Sequence, residues 1–98
     1  MITKTPAKRG KTTKVTFELT ADTAKERIVL CGEFNDWSQV DTPLTKRKDG
    51  RFSATLSLET GRSYRFKYLI DGERWENDPA ADEYIDNGFG SKDSLIYT

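Results

Sequence analysis

Histidine is absent from this chain. That removes the commonest general base, the Ser-His and Cys-His pairs, and the commonest metal ligand. Cys31 is the single cysteine, so neither an internal disulfide nor a cysteine metal cluster can form. It stands in the apolar run Ile28-Val29-Leu30-Cys31 and reads as a small core residue. Paired acids at a recognisable catalytic spacing are missing too, so an enzyme is not expected, and no cofactor or metal is called for. No stretch approaches the roughly 20 apolar residues of a membrane span. No apolar segment of the kind found in a secretory leader follows the N-terminus. The expectation is a cytoplasmic protein with no membrane partner. No segment of useful length carries a helical period.

What is present is alternation. Ser63-Tyr-Arg-Phe-Lys-Tyr-Leu-Ile70 sets Tyr64, Phe66, Tyr68 and Ile70 against Arg65, Lys67 and Leu69. A period of two puts four large groups on one face of a strand and two cations on the other. Asp71-Gly72 then reads as a hairpin turn, since glycine takes positive φ without steric cost. Val15, Phe17 and Leu19 alternate in the same way within Thr13–Thr20, as do Phe52, Ala54, Leu56 and Leu58. Residues 28–31 are apolar on both faces, which predicts a covered inner strand. With Asp49-Gly50 and Thr60-Gly61 as further turns, residues 44–77 read as a four-strand antiparallel meander. Residues 77–91 read as a long loop, and Ser94–Thr98 as a closing strand. About seven short strands point to an all-β fold, an antiparallel β-sandwich.

The 98 residues make one domain, with hydrophobic and charged residues at 35% and 33%, within the range of a folded unit. Net charge is zero but uneven. Lys4, Lys8, Arg9, Lys11 and Lys14 crowd the first 14 positions, which hold no acid. Residues 1–12 read as a flexible basic tail and residues 13–98 as the sandwich domain. Scattered cations without aromatics make a weak nucleic-acid signal, so no nucleic-acid partner is expected.

Trp37 and Trp75 lie in polar stretches rather than apolar strands. A flat indole is a platform for a sugar ring, whose axial C–H groups form an apolar face. Amide, ammonium and carboxylate groups such as Asn35, Lys67 and Asp93 can bond the hydroxyls. The plainer alternative is that both rings cover the ends of the core. Phe34 reads as core packing. Asn35 stands evenly between an Asx-turn that shapes the loop and a sugar contact.

The order of the pieces is more specific. Leu30-Cys-Gly-Glu-Phe-Asn-Asp-Trp37, Thr42-Pro-Leu44, Phe66-Lys-Tyr-Leu-Ile-Asp-Gly72 and Trp75-Glu-Asn-Asp-Pro79 together resemble the carbohydrate-binding modules of family 48. These are the glycogen- and starch-binding domains of the AMP-activated protein kinase β subunit and of the isoamylase and branching-enzyme N-terminal regions. The resemblance runs from about Val15 to Thr98. It implies an immunoglobulin-like sandwich of the early-set type that binds α-1,4-linked glucan such as glycogen, starch or maltooligosaccharide. It implies that Trp37 and Trp75 stack on glucose and that Lys67 contacts hydroxyls. It implies that Phe89, Ser91 and Asp93 supply the contacts of the late loop. Asp93 stands where the family pattern has asparagine, and a carboxylate accepts hydrogen bonds without donating. One residue, Arg74 or Glu73, is inserted before Trp75. The alternative on the same fold is a protein-interaction module that docks to a kinase or a glucan-metabolising enzyme.

Overall fold

The alternating segment at the centre of the sequence is the middle strand of one sheet in a two-sheet sandwich. The computed structural model describes residues 1–7 and 10–98. Its strands are β1 (Ile2–Pro6), β2 (Thr12–Leu19), β3 (Ile28–Gly32), β4 (Thr45–Lys46), β5 (Phe52–Glu59), β6 (Ser63–Ile70), β7 (Arg74–Glu76), β8 (Glu83–Asp86) and β9 (Lys92–Tyr97). The first sheet runs β1-β2-β5-β4; the second runs β3-β6-β9-β8, with β7 also on β6. Every pairing is antiparallel. The described residues contain no α-helix, only two short 3-10 turns at 21–23 and 33–35. None of their helices is long and apolar enough to cross a membrane.

The inward faces follow the period of two. Val15, Phe17 and Leu19 of β2 meet Phe66, Tyr68 and Ile70 of β6 in the core between the sheets, with Ile28, Leu30, Phe52, Leu58 and Ile96. Phe66 sits edge-on to Phe17, with ring centres 5.2 Å apart, and to Tyr68 at 5.8 Å. These edge-to-face pairs add to the burial itself. Phe34 packs against this core as expected.

Four expectations are corrected. The lead-in read as a flexible tail contains β1, whose backbone pairs with β2 from Ile2↔Phe17 to Pro6↔Thr13. Ile2 packs on the core and Lys4 forms an ion pair with Asp82. Lys8 and Arg9 of that lead-in lie outside the described residues. The meander over 44–77 is split: β5 and β6 do not pair, because the chain crosses between sheets at Thr60-Gly61, where Gly61 takes φ 81°. The stretch 77–91 is not structureless, since β8 pairs with β9 from Glu83↔Leu95 to Asp86↔Lys92. Among the described residues there are therefore nine strands rather than about seven.

The turn after β6 is tied to the segment that precedes β3 at the same end of the second sheet. Asp71 and Gly72 both have positive φ, and Glu73 N–H donates to Ile70 O at 3.0 Å. The Asp71 carboxylate accepts the backbone N–H groups of Lys25, Glu26 and Arg27 at 2.9, 2.7 and 3.0 Å. It thereby fixes the segment that leads into β3. The N–H groups of Lys25, Arg27 and Glu26 hold its pKa down at about 2, below the unfolded value near 3.9. A group depressed on folding stabilises fully above its unfolded pKa and loses that contribution as pH falls through the folded one. The melting temperature is expected to fall between about pH 4 and pH 2. Asp71→Asn should lower it at neutral pH and flatten that acid limb. Thermal melts monitored by circular dichroism across this pH range check both effects.

Candidate functional site

The outer face of the second sheet carries the site, and register places its parts. Residues paired across an antiparallel ladder share a face. Val29 pairs with Leu69, Leu69 with Trp75, and Cys31 with Lys67. All five therefore emerge on the side away from the core. Val29, Cys31 and Leu69 form a small apolar floor there, packed against Trp37. Burial pushes the Cys31 thiol up to about 11, so it packs as a hydrophobe and is not a nucleophile at neutral pH.

Trp37 reaches this floor through a tight reversal after β3. Asp36 and Trp37 both adopt the left-handed region, with φ 55° and 58°. For non-glycine residues that conformation costs on the order of 1–3 kcal/mol each and persists only where surrounding bonds impose it. Trp37 N–H donates to Gly32 O at 2.8 Å. Asn35 Oδ1 accepts the Gly32 N–H at 3.0 Å, while its Nδ2 donates to Leu30 O at 2.9 Å and to Thr42 Oγ1 at 3.1 Å. The amide of Asn35 is thus committed to the shape of the loop.

A second loop faces the first. Asn87 N–H donates to Ser91 O at 3.1 Å, and Phe89 N–H donates to Asn87 Oδ1 at 2.9 Å. Gly88 and Gly90, both at φ 82°, allow the chain to turn tightly on either side of Phe89. Phe89 is 91% exposed at the tip. Lys67 Nζ donates to Ser91 Oγ at 3.4 Å, and Asn87 Nδ2 to the same oxygen at 2.8 Å.

Between these loops lies an open cleft of about 700 Å³. Six residues singled out in the sequence line it: Trp37, Lys67, Trp75, Phe89, Ser91 and Asp93. Trp75 is 44% exposed, and its pairing with Leu69 keeps it on the cleft side. Asn35 is not brought to the cleft. Gln39, Arg65 and Asn87 also line it and were not anticipated. Arg65 was within reach of sequence reasoning, standing two positions before Lys67 on the same face. Gln39 and Asn87 sit in loops whose path no local pattern announces.

A protein-family model described as the glycogen recognition site of AMP-activated protein kinase matches residues 13–95. The chain belongs to this family. The matched span contains both loops, the apolar floor and every lining residue of the cleft. No curated protein matches the chain.

Proposed function

We propose that this domain binds α-1,4-linked glucan without transforming it, by stacking sugar rings on Trp37 and Trp75 and bonding their hydroxyls through Lys67 and Ser91. The observation that carries the reading is the meeting of two accessible indoles and an ammonium group in one open cleft. Family membership supports the same ligand class. A glucose ring presents its C–H face to an indole, whose negative π surface attracts it. Trp37 lies against Val29, Cys31 and Leu69, so its ring is held before the ligand arrives and little side-chain entropy is lost on binding. Phe89 adds a third apolar surface at the rim. An open cleft of this sort corresponds to a Kd between micromolar and millimolar, about 4–8 kcal/mol of binding free energy.

Isothermal titration with maltoheptaose, read in parallel with tryptophan fluorescence, tests this function. Saturable heat with a change in indole emission at sub-millimolar to millimolar sugar is the expected result. Neither signal at about 10 mM sugar, a concentration beyond the weak limit of that range, would overturn it.

A further inference from the structure

Asp93 is the residue of the cleft that fits a direct sugar contact least well. Its side chain is only 10% exposed. One carboxylate oxygen accepts Asn87 Nδ2 at 3.2 Å, and the other faces Arg65 Nη1 at 3.8 Å. A carboxylate so enclosed offers a ligand little, and it has no proton to donate. Arg65 is the opposite case. Its guanidinium lines the cleft and is 37% exposed. Its backbone N–H is held by Glu33 Oε1 at 2.6 Å, which anchors the strand beneath it. Only one edge of the guanidinium is turned toward Asp93, and the group has five N–H donors in a rigid fork. Arg65 and Lys67 project from the same face about 7 Å apart along the strand, so they reach different hydroxyl groups.

We propose that Arg65 is a further glucan-contacting residue, its guanidinium donating to the adjacent O2 and O3 hydroxyls of a glucose unit, and that Asp93 is a positioning residue that aims it. The inference rests on the glucan-binding reading above. Two neighbouring hydroxyl oxygens match two parallel N–H groups of a guanidinium in the way a carboxylate does. Asp93 acts from behind, as does Asn87, whose amide links Asp93 to Ser91 and so ties the Arg65 side of the cleft to the Phe89 loop.

The test is a maltoheptaose titration of wild type, Arg65→Gln, Arg65→Lys, Asp93→Asn and the double variant Arg65→Gln/Asp93→Asn, with a thermal melt of each. Arg65→Gln should weaken binding about tenfold with an unchanged melt. Arg65→Lys, which keeps the charge and loses the fork, should lie between it and wild type. Asp93→Asn should weaken binding several-fold, and the double variant should bind no worse than Arg65→Gln, because both changes remove one contact. In wild type the Arg65 side-chain ¹⁵N resonances should shift on sugar addition, and that shift should shrink in Asp93→Asn. A purely structural role for Asp93 would leave the Arg65 resonances alone and give additive losses, overturning the positioning claim. Wild-type affinity in Arg65→Gln, or in Arg65→Lys should the glutamine variant fail to fold, overturns the contact. Failure of the wild-type protein to bind maltoheptaose overturns the glucan reading itself, and this inference with it.

Discussion

Trp37→Ala and Trp75→Ala should each raise the Kd for maltoheptaose roughly thirtyfold, or about 2 kcal/mol, the size of loss found when a tryptophan anchor is truncated. The two variants should differ in stability. Trp75 is 44% exposed on a three-residue strand, so its removal uncovers little and the melt should stay near that of wild type. Trp37 covers Val29, Cys31 and Leu69. Its truncation opens that floor to water and should lower the melting temperature measurably. Paired titrations and melts separate the effects. A Trp75→Ala protein that melts like wild type and binds like wild type would remove one of the two stacking surfaces from the account.

The largest expected effect on folding belongs to Gly32. Its backbone is extended, so the requirement for glycine comes from space and not from dihedral angle. A β-carbon built there would lie 2.6 Å from Arg65 O, 2.7 Å from Phe34 Cζ and 2.8 Å from Phe66 Cβ. Two of those neighbours are a backbone carbonyl and the root of a core side chain, and neither can swing aside. Overpacking of this kind costs typically 1–3 kcal/mol, and Gly32→Ala should fall at the upper end, about 3 kcal/mol. In a domain of this size that is roughly 12 °C or more in melting temperature. Gly32 also carries both bonds that close the Trp37 loop, donating to Asn35 and accepting from Trp37. Strain at this point should therefore weaken glucan binding as well. A chemical melt together with a maltoheptaose titration of Gly32→Ala checks both.

Local patterns were legible in the sequence, and the joining of distant segments was not. The alternation of Tyr64, Phe66, Tyr68 and Ile70 announced an inward face because a period of two admits one burial pattern, and Phe66, Tyr68 and Ile70 are buried. The same alternation placed Lys67 on the outer face. It could not say that Leu69 would be buried there too, under a second, smaller cluster formed with Val29, Cys31 and Trp37. The break between sheets at Thr60-Gly61 was hidden because a turn that joins two paired strands and one that joins two sheets use the same residues. β1 and β8 were missed for a related reason. Thr3-Lys4-Thr5 has no apolar residue and Glu83-Tyr-Ile-Asp86 sets its two side by side, so neither shows the period of two, and both are held by hairpin partners and side-chain bonds. For β1 these are β2 and the Lys4–Asp82 pair. For β8 they are β9 and the Tyr84 hydroxyl, which donates to Asp78 O at 2.5 Å. Within the cleft, residue types that advertise their chemistry were found, while Asn87 and Gln39 were not. Asn35 had two roles open to it, and three hydrogen bonds within its own loop account for its amide.

Intermolecular nuclear Overhauser effects from maltoheptaose to the two indoles test the central claim most directly. The account predicts cross-peaks from the C–H protons of one bound chain to the ring protons of both Trp37 and Trp75, with Lys67 and Ser91 among the most shifted neighbours. Cross-peaks to the β1-β2-β5-β4 sheet with both indoles silent, or no cross-peaks from sugar that demonstrably binds, would contradict it.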